Sequence, residues 1–70
     1  MEAEIWGRRI RAFRKLKGFT QEEFAKELGV SVSMLGEVER GNRVPTTPFL
    51  KEVAEQLGIA MEELKPPVNR

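Results

Sequence analysis

Seventy residues make one domain, too short for two. The composition has no Cys and no His, so neither a disulfide nor a thiolate–imidazole zinc site can staple the chain, and oligomerisation is the remaining extra source of stability. A charged share of 33% beside a hydrophobic share of 40% is that of an ordinary folded domain rather than a disordered tail.

No apolar run approaches the ~20 residues of a membrane span. The N-terminus carries Glu2 and Glu4 and lacks the apolar stretch of a signal peptide. With the absence of Cys, this gives a cytoplasmic expectation with no membrane partner. The net charge of +1 hides an uneven distribution. Residues 1–19 hold Arg8, Arg9, Arg11, Arg14, Lys15 and Lys17 against Glu2 and Glu4, a surplus of four positive charges. Residues 20–41 hold Lys26 and Arg40 against Glu22, Glu23, Glu27, Glu37 and Glu39, a deficit of three. A nucleic-acid binder needs a basic face rather than a basic total, and the first segment supplies part of one.

In chain order, a first helix is expected near 3–17, with Ile10 and Phe13 on its apolar face. Thr20 caps a second helix near 21–28. Glu23 completes its capping box, and Phe19 and Phe24 occupy the positions of a hydrophobic staple. Phe24, Ala25 and Leu28 line its inner face. Ser31 caps a third helix near 32–40, with Val30 and Leu35 as staple and Leu35 and Val38 facing inward. A fourth helix near 47–57 starts at Thr46 or Thr47, with Pro48 suited to its first turn. Leu50, Val53, Ala54 and Leu57 line it. Gly18, Gly29, Gly41 and Gly58 each follow an apolar-periodic run, where a left-handed residue ends a helix. A short turn from Met61 to Lys65 is stopped by Pro66 and Pro67, and Ala60 is a poor cap for it. Val30 and Ile59 complete one core. No segment alternates with period two, so no sheet is expected.

The second and third helices are joined by only Gly29, Val30 and Ser31. Two short helices joined so tightly form a helix-turn-helix, spanning about residues 20–41. The run Thr20-Gln21-Glu22-Glu23-Phe24-Ala25-Lys26-Glu27-Leu28-Gly29-Val30-Ser31 resembles the first half of the phage-repressor and Cro-like (XRE-type) helix-turn-helix family. Leu35, Val38-Glu39-Arg40-Gly41, Pro45, Leu50, Val53-Ala54 and Leu57-Gly58 continue its pattern, and Ile10-Arg11-Ala12-Phe13-Arg14 fits upstream. The resemblance covers roughly residues 5–64. It implies a single all-α, four- to five-helix, lambda-repressor-like domain over 1–70, with a tail at 66–70. It also implies a cytoplasmic transcriptional regulator, of repressor type, that binds double-stranded DNA as a homodimer.

The resemblance also assigns roles. Arg14 and Glu39 match an ion pair between the first and third helices. Gln21 matches a phosphate-binding position, at a helix N-terminus whose free N–H groups and dipole favour an anion. Ser31 joins it as a phosphate contact. Asn42 and Arg43 match the phosphate-holding loop that follows the third helix.

Base reading falls to Val32, Ser33, Glu37 and Arg40, at helical spacing with Gly36 on the exposed face of the third helix. Val32 suits a thymine methyl, Ser33 several bases, Glu37 cytosine N4, and Arg40 guanine or a phosphate. Val32 and Glu37 depart from relatives that carry Gln, Lys or Arg there, and Gly36 costs its helix ~1 kcal/mol relative to Ala. Arg8, Arg9, Arg11 and Lys15 read mainly as solubilising charge. Leu16, Met61 and Leu64 look surplus to the core, and Met61 and Leu64 are the candidate dimer contacts.

Enzyme activity is not expected. His, Cys and Tyr are absent, no Gly-rich phosphate loop is present, and the adjacent Glu22 and Glu23 point in different directions. No cofactor, metal or small-molecule effector is expected. The rival reading is a protein-binding module, such as an antitoxin or adaptor half. Glu37 and the acidic balance of residues 20–41 favour it.

Overall fold

The computed structural model describes residues 2–65. The tail at 66–70, with Pro66 and Pro67, lies outside the described residues. Four helices follow one another: α1 (Glu2–Leu16), α2 (Gln21–Leu28), α3 (Val32–Glu39) and α4 (Thr47–Leu57). A single 3-10 turn (Met61–Glu63) closes the described chain, shorter than the turn expected to reach Lys65. There is no strand among the described residues, and no helix is long and apolar enough to cross a membrane.

The local chemistry sets these boundaries. Thr20 Oγ1 accepts from the Glu23 N–H while the Thr20 N–H donates to Glu23 Oε1, a closed capping box. Ser31 and Thr46 cap α3 and α4, accepting from the N–H groups of Met34 and Phe49. At Ala60 no side chain can cap, and only three residues of tight helix form. Gly18, Gly29, Gly41 and Gly58 all have positive φ, as their places after helix ends require. Gly29, at φ 73°, reverses the chain between α2 and α3 while its N–H bonds back to Lys26 O. The staple before α2 forms as a ring pair, Phe19 and Phe24 centroids standing 5.1 Å apart.

The core is one cluster: Ile10, Phe24, Ala25, Leu35, Val38, Phe49, Leu50, Val53, Ala54, Leu57 and Leu64, with Trp6, Phe13, Phe19, Leu28, Val30, Met34, Ile59 and Met61 packed around it. One expectation is overturned here. Leu64 is 0% exposed, fully inside the core, so it offers no surface to a second copy. The 3-10 turn folds back on α4 and uses Leu64 to close that end of the core. Met61 is half-buried against the same cluster, while Leu16 stays 76% exposed.

The docked face of α1 is Ala3, Gly7, Ile10 and Arg14, residues spaced three and four apart. A Cβ on Gly7 would stand 2.1 Å from Val38 O and 2.7 Å from Glu39 O. The missing side chain lets α1 cross directly against the last turn of α3. Arg8, Arg11 and Lys15 therefore face solvent, while Arg9 reaches across to donate to Glu63 O at 3.0 Å.

Candidate nucleic-acid interface

α3 is held from behind by a buried polar network. Arg14 Nε donates to Glu39 Oε2 at 2.7 Å and Arg14 Nη2 to Glu39 Oε1 at 3.2 Å. A third donor, Arg14 Nη1, reaches Phe19 O at 2.8 Å. Only 7% of the arginine side chain and 2% of the glutamate side chain remain exposed. A charge taken this far from water is tolerated only when its partner and hydrogen bonds are complete. Here no buried side-chain nitrogen or oxygen among the described residues lacks a partner. The network joins α1, the turn before α2, and α3 in one constellation.

Gln21 extends it. Its Nε2 donates to Glu39 Oε1 at 3.0 Å, so the half-buried amide works as a strut between the start of α2 and the end of α3. The phosphate role expected of Gln21 falls to what remains, its second amide hydrogen and its backbone N–H at the helix start. The family pattern gave the Arg14–Glu39 pair, whereas the strut depends on a neighbour 18 residues away.

With its inner side fixed, α3 turns Val32, Ser33 and Arg40 to solvent. The Arg40 side chain makes no hydrogen bond or ion pair within the described residues, its backbone N–H being spent on Gly36 O. Glu37, half-exposed, is not a bare carboxylate: Arg43 Nε donates to its Oε1 at 2.8 Å. The structure thus joins two residues that sequence reasoning had assigned separately to a base and to a phosphate. Arg43 keeps both Nη groups, four donors, for a further acceptor.

Ser31 Oγ accepts from the Met34 N–H and keeps its hydroxyl proton to donate. In the following loop the N–H groups of Gly41 and Asn42 are spent on Val38 O and Glu37 O, ending α3. That leaves the exposed Asn42 side chain, rather than its backbone, for an outside partner. Ser31, Val32, Ser33, Arg40, Asn42 and Arg43 are thereby exposed on and around one short helix. Gly36, placed with them by helical spacing, is instead buried.

The family model described as "Helix-turn-helix" matches residues 10–64, and the chain belongs to that family. YazB of Bacillus subtilis, an uncharacterised HTH-type transcriptional regulator, is 67% identical over 67 residues, covering 96% of this chain and 97% of YazB. The immunity repressor of Bacillus phage phi105 is 36% identical over 58 residues, 83% of this chain but only 40% of the repressor. Among solved structures, the restriction-modification controller protein C.AhdI of Aeromonas hydrophila superposes with a TM-score of 0.84 at 35% identity, covering 89% of this chain and 94% of that one.

Proposed function

We propose that this chain is a transcriptional regulator, of repressor type, that binds duplex DNA sequence-specifically with α3 in the major groove and α2 across the backbone. One observation carries the reading: α3 is locked from behind by the buried Arg14–Glu39 pair and the half-buried Gln21 strut while its outward side keeps unspent donors. A reading helix has to be held rigidly for its side chains to meet base edges in register. Arg43, Asn42, Ser31 and Gln21 position the backbone, and Val32, Ser33, Glu37 and Arg40 face the bases. In this reading the protein acts in the cytoplasm, on DNA rather than at a membrane, and without a small-molecule effector.

An eight-residue helix is ~12 Å long and spans only a few base pairs. Two copies on an inverted repeat, half-sites ~34 Å apart, supply the contacts that one lacks. Of the two residues first assigned to a dimer contact, Met61 is the one still partly open to a partner.

The protein-binding alternative drew on the acidic balance of residues 20–41. Two of those five carboxylates, Glu37 and Glu39, are paired with Arg43 and Arg14 from outside the segment, and the deficit of three falls to one. Selection from a random duplex library at about physiological salt tests the choice. Enrichment of an inverted repeat supports a dimeric reader, and an unrepeated half-site supports DNA binding by a monomer. No enrichment by folded protein contradicts the reading.

A further inference from the structure

Gly36 lies in α3 with the exposed Val32 and Arg40 one turn before and one turn after it, yet it is buried. What covers it is Arg40, one turn further along. A Cβ on Gly36 would stand 3.0 Å from Arg40 Nη1 and 3.8 Å from Arg40 Cζ, with Gln21 Nε2 3.7 Å away on the other side. The arginine folds back along its own helix, the direction in which helical side chains lean. Its guanidinium lies against the bare Gly36 backbone, with Nη1 a few tenths of an ångström closer than a Cβ there would ordinarily allow.

Nothing else in the structure accounts for this glycine. Gly36 is not among the positive-φ glycines, and it costs a short helix ~1 kcal/mol relative to Ala. The three atoms nearest its absent Cβ, outside its own helix's backbone, all belong to side chains, unlike Gly7, where α3 carbonyls crowd in. The guanidinium there is the single cation of the segment 32–40, since Arg40 is its only Lys or Arg. Glu37 beside it is already engaged by Arg43. Gln21, anchored to Glu39, walls the far side.

We propose that Gly36 is a specificity-determining position. By carrying no side chain, it lets the Arg40 guanidinium lie across the middle of the recognition face. There its fork of donors meets the O6 and N7 acceptors of a guanine, whereas an arginine extended from the end of the helix would meet a phosphate. Gly36 touches no base itself and acts through Arg40, as a positioning residue. The proposal rests on the duplex-binding reading above.

The test compares Gly36→Ala, Gly36→Gln and Arg40→Ala with wild type. Affinities are measured on the selected operator and each of its single-base variants, with a thermal melt and a salt titration for every protein. Arg40→Ala is expected to lose about tenfold discrimination at one G·C pair. Gly36→Ala, which pushes the guanidinium by a few tenths of an ångström, weakens preference at that same pair, and Gly36→Gln, which fills that space, abolishes it. The Ala variant keeps the wild-type salt slope, because Arg43, Asn42 and Ser31 are untouched, and it melts higher than wild type. The proposal is overturned if the Gly36 variants keep every base preference, lose affinity for all sequences equally, or relax a pair other than the one Arg40→Ala relaxes. A wild-type protein that binds no duplex overturns the underlying DNA reading instead, and that result is seen before any variant is made.

Discussion

α3 carries two glutamate–arginine pairs of nearly equal length, Glu39–Arg14 at 2.7 Å and Glu37–Arg43 at 2.8 Å. The glutamates are two residues apart, one turned inward and one outward. Their surroundings separate them. The inner side chains are 7% and 2% exposed, the outer ones 53% and 41%. Breaking a buried pair strands a charge and costs about 3–5 kcal/mol, whereas an exposed pair is worth about 0–1 kcal/mol. The same chemistry therefore does two jobs. The inner pair fixes where the helix sits. The outer pair neutralises a carboxylate that would repel phosphates, while Arg43 stays free to exchange or share its donors.

The largest expected effect breaks the inner pair. Glu39→Ala leaves Arg14 buried without its counter-charge and frees Gln21 from its anchor, at a cost of about 3–5 kcal/mol. A chain of this size holds roughly 4–10 kcal/mol in all, so urea denaturation should show a protein close to unfolding. A midpoint near wild type would mean that the inner pair holds little. Gly7→Ala attacks the same helix crossing by volume and should cost about 1–3 kcal/mol in the same assay, because the obstacle is backbone carbonyl oxygen.

The outer pair should respond in binding, not in folding. Arg43→Ala is expected to move stability by less than about 0.5 kcal/mol. It should weaken binding to all duplexes alike and reduce the salt slope by about one. Unchanged affinity would remove Arg43 from the phosphate contacts. Adding Glu37→Gln to that variant should restore part of the affinity, since the stranded carboxylate is then gone, and a double-mutant cycle measures the coupling. Ser33→Ala, the smallest change, should alter which base is preferred at one position and leave the salt slope as it was. A uniform loss over all sequences would move Ser33 to the phosphate contacts.

Much of the fold was legible because its signals are local. A capping box, two staples and four helix-ending glycines each act within five residues, and the helices fall within a residue or so of the expected bounds. The Arg14–Glu39 pair was legible only through the family pattern. What was missed depends on residues distant in the chain. Leu64 follows a three-residue turn, too short to show periodicity, and so read as surplus rather than core. Gly7 carries no local signal of its own, although its spacing with Ala3, Ile10 and Arg14 marks the docked face of α1. At the site, helical spacing set Val32, Ser33, Glu37 and Arg40 on one side of α3 and counted the buried Gly36 among its exposed residues. It did not show that Gln21 is tied to Glu39, that Glu37 is tied to Arg43, or that Arg40 lies over Gly36, because each of these depends on a side-chain direction.

The central claim is that the outward side of α3 meets duplex DNA while its inward side stays fixed. Titrating the isotopically labelled 70-residue chain with the selected duplex, and following every backbone amide by NMR, tests it most directly. The account predicts shifts concentrated at residues 21, 31–33, 36–37, 40 and 42–43, with the Arg14 side-chain Nε–H signal retained throughout. Shifts centred on the solvent face of α1 or on α4, with α3 silent, would contradict it.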